Sequence, residues 1–265
     1  MAPTLYDELA AALRELRPVA LATVIDGRGL GSKLLVRPGL PTVGSLGHPD
    51  LDRVVARDAE GELAAGTTSV RHYGEHGEAR VGTTVAVFVE SFAPPPRMLI
   101  FGAVDFTSAL ARVAKVLGYH VTVCDAREVF ATQKRFPMAD EVVVDWPNRL
   151  LDRVGADLGR RDAVCVLTHD TKFDVPAIVS ALATDVGYIG AMGSRRTHAK
   201  RVERLREEGV DDAGLSRVMA PIGLDLGSRT PEETAIAVCA EIIAVRTGRA
   251  GAVAPLRDVD GPIHR

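Results

Sequence analysis

The stretch Met98-Leu-Ile-Phe-Gly-Ala-Val-Asp-Phe-Thr-Ser-Ala109 decides the fold. Four consecutive apolar residues suit a strand covered on both faces. Gly102 permits a tight turn, and apolar spacing from Ser108 to Leu117, stopped by Gly118, predicts a helix. A second strand, Val121-Thr-Val-Cys124, follows and ends in Asp125, roughly 20 residues on, where a ribose-binding carboxylate belongs in a dinucleotide fold. Yet only Gly102 fits the dinucleotide fingerprint. Val104 stands where a second glycine lets backbone approach a pyrophosphate, Thr107 replaces the third, and Asp105 puts a negative charge at the helix N-terminus. The expectation is a Rossmann scaffold that binds NAD(P) weakly if at all, with Asp105 free to meet a cation or a ligand other than a pyrophosphate.

Working outward, strands are predicted at Glu141–Val144, Ala163–Leu167 and Gly187–Ile189, and helices at Val175–Thr184, Arg195–Glu208 and Pro231–Thr247. Continuous apolar strands alternating with helices predict a doubly wound parallel sheet, with ligands at the carboxyl ends of its strands. This α/β domain is expected over 98–249, followed by a tail, 250–265. Upstream, the consecutive prolines of Phe92-Ala-Pro-Pro-Pro-Arg97 read as a stiff linker at 94–97. Residues 1–93 then form a smaller α+β domain. Its first helix is predicted from a Thr4 cap to Arg17, with Leu5, Leu9, Leu13 and Leu16 as one stripe. Strands follow at 19–25, 33–36, 42–44, 69–73 and 83–89, with a helix over 50–65.

Composition narrows the partners. The 265 residues are 46% hydrophobic and 25% charged, with a net charge of −3. No overall positive field favours nucleic acid. No apolar run suits a membrane span, and Met1–Arg17 lacks the apolar core of a signal peptide. Cys124, Cys165 and Cys239 sit in apolar runs without metal-ligand spacing, so they read as buried side chains in a reducing, cytoplasmic compartment.

Three further loops carry candidate ligand contacts. Leu167-Thr-His-Asp-Thr-Lys-Phe-Asp174 places His169 and Asp170 at the sheet edge, as ligand contacts or an acid/base pair, while Asp174 before Val-Pro176 reads as a helix cap. In Tyr188-Ile-Gly-Ala-Met-Gly-Ser-Arg-Arg196, Gly190 and Gly193 permit a tight loop and Ser194 caps the next helix. Arg195 and Arg196 in its first turn oppose the helix dipole unless an anion docks there. In Pro221-Ile-Gly-Leu-Asp-Leu-Gly-Ser-Arg-Thr-Pro-Glu-Glu233, Thr230, Pro231 and Glu233 make a capping box, and Asp225 precedes it as a candidate contact. In the first domain, Asp26-Gly-Arg-Gly-Leu-Gly-Ser-Lys33 is a possible anion cradle, and His48 reads as a turn residue. No catalytic residue and no metal ligand is assigned.

Together with Val121-Thr-Val-Cys-Asp-Ala-Arg127 and Arg135-Phe-Pro-Met-Ala-Asp140, these segments resemble the XdhC/CoxI family of accessory proteins for molybdenum-containing hydroxylases. The resemblance implies a homodimeric chaperone that binds the molybdenum cofactor, a pterin bearing a phosphate or nucleotide. Such a protein protects the cofactor during sulfuration, with a cysteine desulfurase as a further partner. It then delivers the cofactor to apoenzyme of the xanthine or carbon monoxide dehydrogenase type. Two departures stand out. The family's Gly-x-Gly first loop is Gly102-Ala-Val104 here, and its glycine-glycine-cysteine turn is Gly44-Ser-Leu-Gly-His48, which excludes a first-domain thiolate contact to molybdenum. Two alternatives remain on the residues alone: a nicotinamide-dependent oxidoreductase with His169 as proton donor, and a nucleotide-sensing scaffold.

Overall fold

The computed structural model describes residues 4–78, 85–168 and 170–259. Contacts divide the chain into two compact units, Met1–Pro94 and Pro95–Arg265. In the first unit, α1 (Leu5–Arg14) starts at a capping box in which Asp7 N–H donates to Thr4 Oγ1 and Thr4 N–H to Asp7 Oδ2. It stops before the predicted Arg17, because Leu16 turns left-handed (φ +51°) and Arg17 N–H bonds back to Ala12 O. Leu13 and Leu16 are exposed, and the inward stripe is the buried Ala12 with Leu5 and Leu9 partly buried beside it.

The strands β1 (Val19–Asp26), β2 (Lys33–Val36), β3 (Val43–Ser45), β4 (Ser69–Tyr73) and β5 (Val85–Phe92) form an antiparallel sheet ordered β3-β2-β1-β5-β4, with α2 (Pro49–Ala65) between β3 and β4 in the chain. Side chains alternate across it. Ala20, Ala22, Val24 and Leu34 meet Leu51, Val55 and Leu63 of α2, while Val19, Leu21 and Leu35 meet α1.

The second unit runs β6 (Arg97–Phe101), α3 (Asp105–Val116), β7 (His120–Cys124), β8 (Glu141–Val143), α4 (Pro147–Val154), β9 (Ala163–Val166), α5 (Thr171–Leu182), β10 (Tyr188–Ala191), α6 (Arg195–Glu207), α7 (Asp212–Ser216), β11 (Val218–Met219) and α8 (Pro231–Arg246). Its six strands are parallel in the order β11-β10-β9-β6-β7-β8, a doubly wound Rossmann sheet. The apolar strands follow from the two cores. Met98 and Ile100 of β6 face α3 and α8, and Leu99 and Phe101 face α4, α5 and α6.

The structure corrects several expectations. α3 begins at Asp105, not Ser108, so Val104 is its N-cap and Thr107 lies in its first turn. α5 begins at Thr171, not Val175, because the Asp170 carboxylate accepts from Lys172 N–H at 3.1 Å and caps it. Pro176 therefore lies inside the helix. α4, α7 and β11 were not predicted; α4 hides behind a tryptophan–proline start and only two buried leucines. Between β7 and β8, where a crossover helix is usual, residues 125–140 hold only turns. Among the described residues, no helix is long and apolar enough to cross a membrane.

Candidate functional site

The order of the parallel sheet reverses between β6 and β9, so the crevice at their carboxyl ends is the natural place for a ligand. The chain leaves β6 at Gly102 with φ +111°, and a Cβ there would lie 2.8 Å from Thr168 Cγ2 and 3.0 Å from Thr168 N. Glycine is thus required to bring the loop after β6 against the loop after β9. Val104 precedes α3 without any side-chain cap bond, and Asp105, exposed in the first turn, supplies the negative charge that complements the dipole.

Asp125 is buried, and both oxygens are used within the protein. Oδ2 accepts from Ala103 N–H at 2.7 Å and Arg127 Nη2 at 2.8 Å; Oδ1 accepts from Arg127 N–H and Nε, both at 2.9 Å. Burial pushes its pKa up, but the bonds from Arg127 and Ala103 outweigh it and hold the carboxyl below the ordinary value. The residue at the ribose position therefore braces the first loop.

At the end of β9, Asp174 is not the helix cap read from the sequence. It faces inward from the first turn of α5, and with Arg201 of α6 forms an ion pair at 2.9 Å, each side chain 1% exposed. Thr168 Oγ1 donates to the same carboxylate, and Arg201 Nη2 also donates to Met192 O at 2.8 Å. This network joins the loop after β9 to the loop after β10. Arg201 Nε and Nη1 are buried without a hydrogen-bond partner among the described residues. The sequence reading missed this pairing, since it gave Asp174 as a helix cap and left Arg201 out of the candidate contacts. The available signal was spacing, since Arg201 and Leu205 are the two buried residues of α6.

The loop after β10 leads into α6. Gly190 is not part of it, contrary to expectation. It lies within β10, where a Cβ would meet Ile222 Cδ1 at 2.5 Å and Tyr188 Cε1 at 2.7 Å, so its small size serves packing. Gly193 does turn the loop (φ +142°), and Ser194 Oγ accepts from Thr197 N–H at 3.1 Å as the N-cap. Arg195 and Arg196 are exposed in a first turn that contains no acid, and neither forms an ion pair among the described residues. Behind them, burial and then the charge of Arg201 lower the His198 pKa.

Asp170 is exposed and paired to its own helix through Lys172 Nζ at 3.3 Å. Asp225 is exposed in the loop after β11 with no side-chain bond among the described residues; that loop is tied to β10 by Ile222 N–H on Ala191 O at 3.1 Å. His169 lies outside the described residues. Gly102, Asp125, Gly193 and the Thr168 loop thus share one braced edge, while Asp105, Asp170, Arg195, Arg196 and Asp225 are exposed on elements that leave it.

No thiolate presents itself for a metal. Burial pushes the Cys124 and Cys239 thiols up to about 12 and Cys165 well above its usual value. Among the described residues, no group of three or more His, Cys, Asp or Glu side chains is placed to hold a metal ion. In the first unit, His48 caps α2 by accepting from Asp50 N–H at 3.2 Å, and Arg28, Gly29, Gly47, His48 and His76 help line a cavity of about 190 Å³.

Comparisons with known proteins agree with this architecture. Residues 98–242 match the XdhC Rossmann domain, and residues 12–74 match the XdhC and CoxI family. A probable xanthine dehydrogenase subunit from Bacillus subtilis is 33% identical over 62% of this chain and 47% of its own length. The molybdenum cofactor insertion chaperone PaoD of Escherichia coli is 27% identical over 64% of this chain and 46% of its own. The uncharacterized protein YqeB of Escherichia coli is 26% identical over 93% of this chain and 47% of its own. The chain thus spans about half the length of these curated relatives. A crystal structure of a xanthine dehydrogenase from Bacillus halodurans, 20% identical, superposes with a TM-score of 0.53 over 94% of this chain and 97% of that one, a likeness of fold. With more than half of its residues matching the family's Rossmann domain, the chain belongs to the XdhC/CoxI family.

Proposed function

We propose that this chain is an accessory protein for a molybdenum hydroxylase. It binds the molybdenum cofactor, assists its sulfuration and hands it to an apoenzyme of the xanthine or carbon monoxide dehydrogenase type. Family membership and the chaperone name of one relative support that reading. The observation that carries it is the start of α6, where two exposed arginines without carboxylate partners among the described residues stand on an already positive helix end.

The donor set fits a phosphate. Backbone N–H groups follow Gly193, the Arg195 and Arg196 forks are placed to donate to pairs of phosphate oxygens, and the buried Arg201 underlies the loop with two donor nitrogens unbonded among the described residues. The same residues offer nothing to the metal, so the anionic end of the cofactor is the part this chain grips. The bound cofactor supplies its oxygen-transfer chemistry to the enzyme that receives it. This chain's residues bind and orient.

The test is a titration of the full chain with molybdopterin, beside a thermal melt. Arg195→Ala and Arg196→Ala should each weaken binding about tenfold or more, the loss of one charge-assisted bond, while the fold stays intact. Unchanged affinity in the double variant would leave the cluster a solvated face. Cytoplasmic location, a homodimer and docking of a cysteine desulfurase belong to the same proposal.

A further inference from the structure

The segment between β7 and β8 carries a second feature, separate from the arginines of α6. Arg127 is held flat by two bonds to Asp125, at 2.9 Å from Nε and 2.8 Å from Nη2. Its guanidinium carbon lies 4.6 Å from the centroid of the Phe130 ring. The guanidinium of Arg135 lies against the same ring at 5.5 Å and donates through Nη1 to Phe130 O at 3.3 Å. Arg135 forms no ion pair among the described residues. The Arg127 side chain remains 49% exposed and the Phe130 residue 40% exposed.

The cluster rests on a fixed base. Phe136 is buried in the core, and Gln133 Nε2 donates to Ala139 O at 3.0 Å, so a helix-free segment is braced from beneath. Solvated arginines lose side-chain entropy when stacked and aligned. Here one is aligned by a buried carboxylate and an aromatic face while its side chain stays 49% exposed.

The location has a chemical meaning. The end of the second strand in a Rossmann sheet is where the base and ribose of a nucleotide lie, and an arginine there receives a phosphate on the ribose. We infer that Arg127, Phe130 and Arg135 form a seat for a nucleoside monophosphate, its base stacked on the Arg127 guanidinium and its phosphate held by Arg135. Arginine planes accept any base by stacking, and a guanidinium fork matches phosphate oxygens. The first loop does not oppose such a ligand, because Val104 and Asp105 obstruct only a pyrophosphate laid across the start of α3. The seat is independent of the anion site at α6.

The experiment is calorimetric titration of the full chain with 5′-AMP and with 2′-AMP, beside adenosine and inorganic phosphate. At least one nucleotide should bind with a dissociation constant below about 1 mM, and more tightly than adenosine or phosphate; the preferred isomer tells which ribose oxygen carries the phosphate. Phe130→Ala and Arg135→Ala should each weaken it about tenfold, the scale of one stacking or charge-assisted contact. Arg127→Ala strips the buried Asp125 of its partner and endangers the fold. Arg127→Lys keeps the charge without the plane and should lose affinity too. The double variant Arg195→Ala/Arg196→Ala should bind the nucleotide as before. No saturable binding, equal binding of adenosine or phosphate, or indifference to both Phe130→Ala and Arg135→Ala would overturn the inference. So would loss of binding in the α6 double variant, without touching the function proposed above.

Discussion

Two helices start at the same edge of the parallel sheet, α3 after β6 and α6 after β10, and they are finished in opposite ways. α3 has Val104 at its cap, no side-chain cap bond and a first-turn carboxylate, Asp105. α6 has a bonded Ser194 cap and two first-turn arginines. A helix N-terminus carries about half a positive charge. Asp105 satisfies that charge from within the chain, whereas Arg195 and Arg196 add to it. The first site is closed to anions by its own sequence, and the second is completed only by something outside it. On the function proposed above, the anion site of this Rossmann domain lies after the fifth strand of the parallel sheet and not after the first.

The supports differ as well, and removing one should have the largest effect. The loop before α6 rests on the buried Asp174–Arg201 pair; the loop before α3 rests on Asp125, whose partner Arg127 is half exposed. Arg201→Ala leaves a buried carboxylate without its cation and should cost about 3–5 kcal/mol. Arg127→Ala should cost less, because water already reaches the Arg127 side of the pair. Chemical denaturation of both variants checks the order. A smaller loss for Arg201→Ala would mean that the Thr168 and Asp174 contacts hold the loop unaided.

The next effect concerns the closed site. Val104→Gly with Asp105→Asn should restore backbone approach and remove the repelling charge. Affinity for NAD should rise by about tenfold, the scale of one recovered hydrogen bond to a charged group. Calorimetry on parent and variant measures it. If the parent already binds NAD at low micromolar concentration, Val104 and Asp105 do not close the site.

This contrast was largely legible in the sequence, because it rests on local rules. A strand, a glycine and a helix announce a Rossmann turn. The chemistry of Val104, Asp105, Ser194, Arg195 and Arg196 can be read without knowing any contact. Asp174 and Arg201 were hidden for the opposite reason. They lie 27 residues apart, and only packing α5 beside α6 makes them partners. Asp125 was legible as a position and not as a role, since its arginine sits two residues away on a turn whose geometry no periodicity encodes. Gly190 misled because a glycine that ends a strand and one that makes room inside it look alike. The segment 126–140 was legible only through the resemblance of its ends and not as structure, because turns carry no repeating pattern.

A smaller effect comes from pH. Burial and Arg201 depress the His198 pKa from its ordinary 6.5, so the folded protein binds that proton less readily than the unfolded chain. Its contribution to stability is therefore full above pH 6.5 and is lost as the pH falls through the lower folded value. α3 has no histidine in its first turns. Denaturation midpoints at pH 7.5 and 5.0 should separate less in His198→Asn than in the parent. An equal separation would assign the acid sensitivity to the carboxylates alone.

The smallest effect tests the comparison most directly, because it predicts a change of sign. An exposed charge at a helix end contributes about 0.3–1 kcal/mol at low ionic strength. Arg195→Gln and Arg196→Gln preserve helix propensity while removing a charge that opposes the dipole. Each should stabilise the ligand-free protein slightly. Asp105→Asn removes a charge that favours the dipole and should destabilise it by a similar amount. Both shifts should shrink together at 1 M salt, where the Debye length falls to about 3 Å. Thermal melts of the three variants at 20 mM and 1 M salt provide the measurement. Were the arginine variants to lose stability at low salt, these side chains would have to contact acids in solution. The start of α6 would then be a neutralised surface like the start of α3, and the anion site would have to be sought elsewhere on the sheet edge.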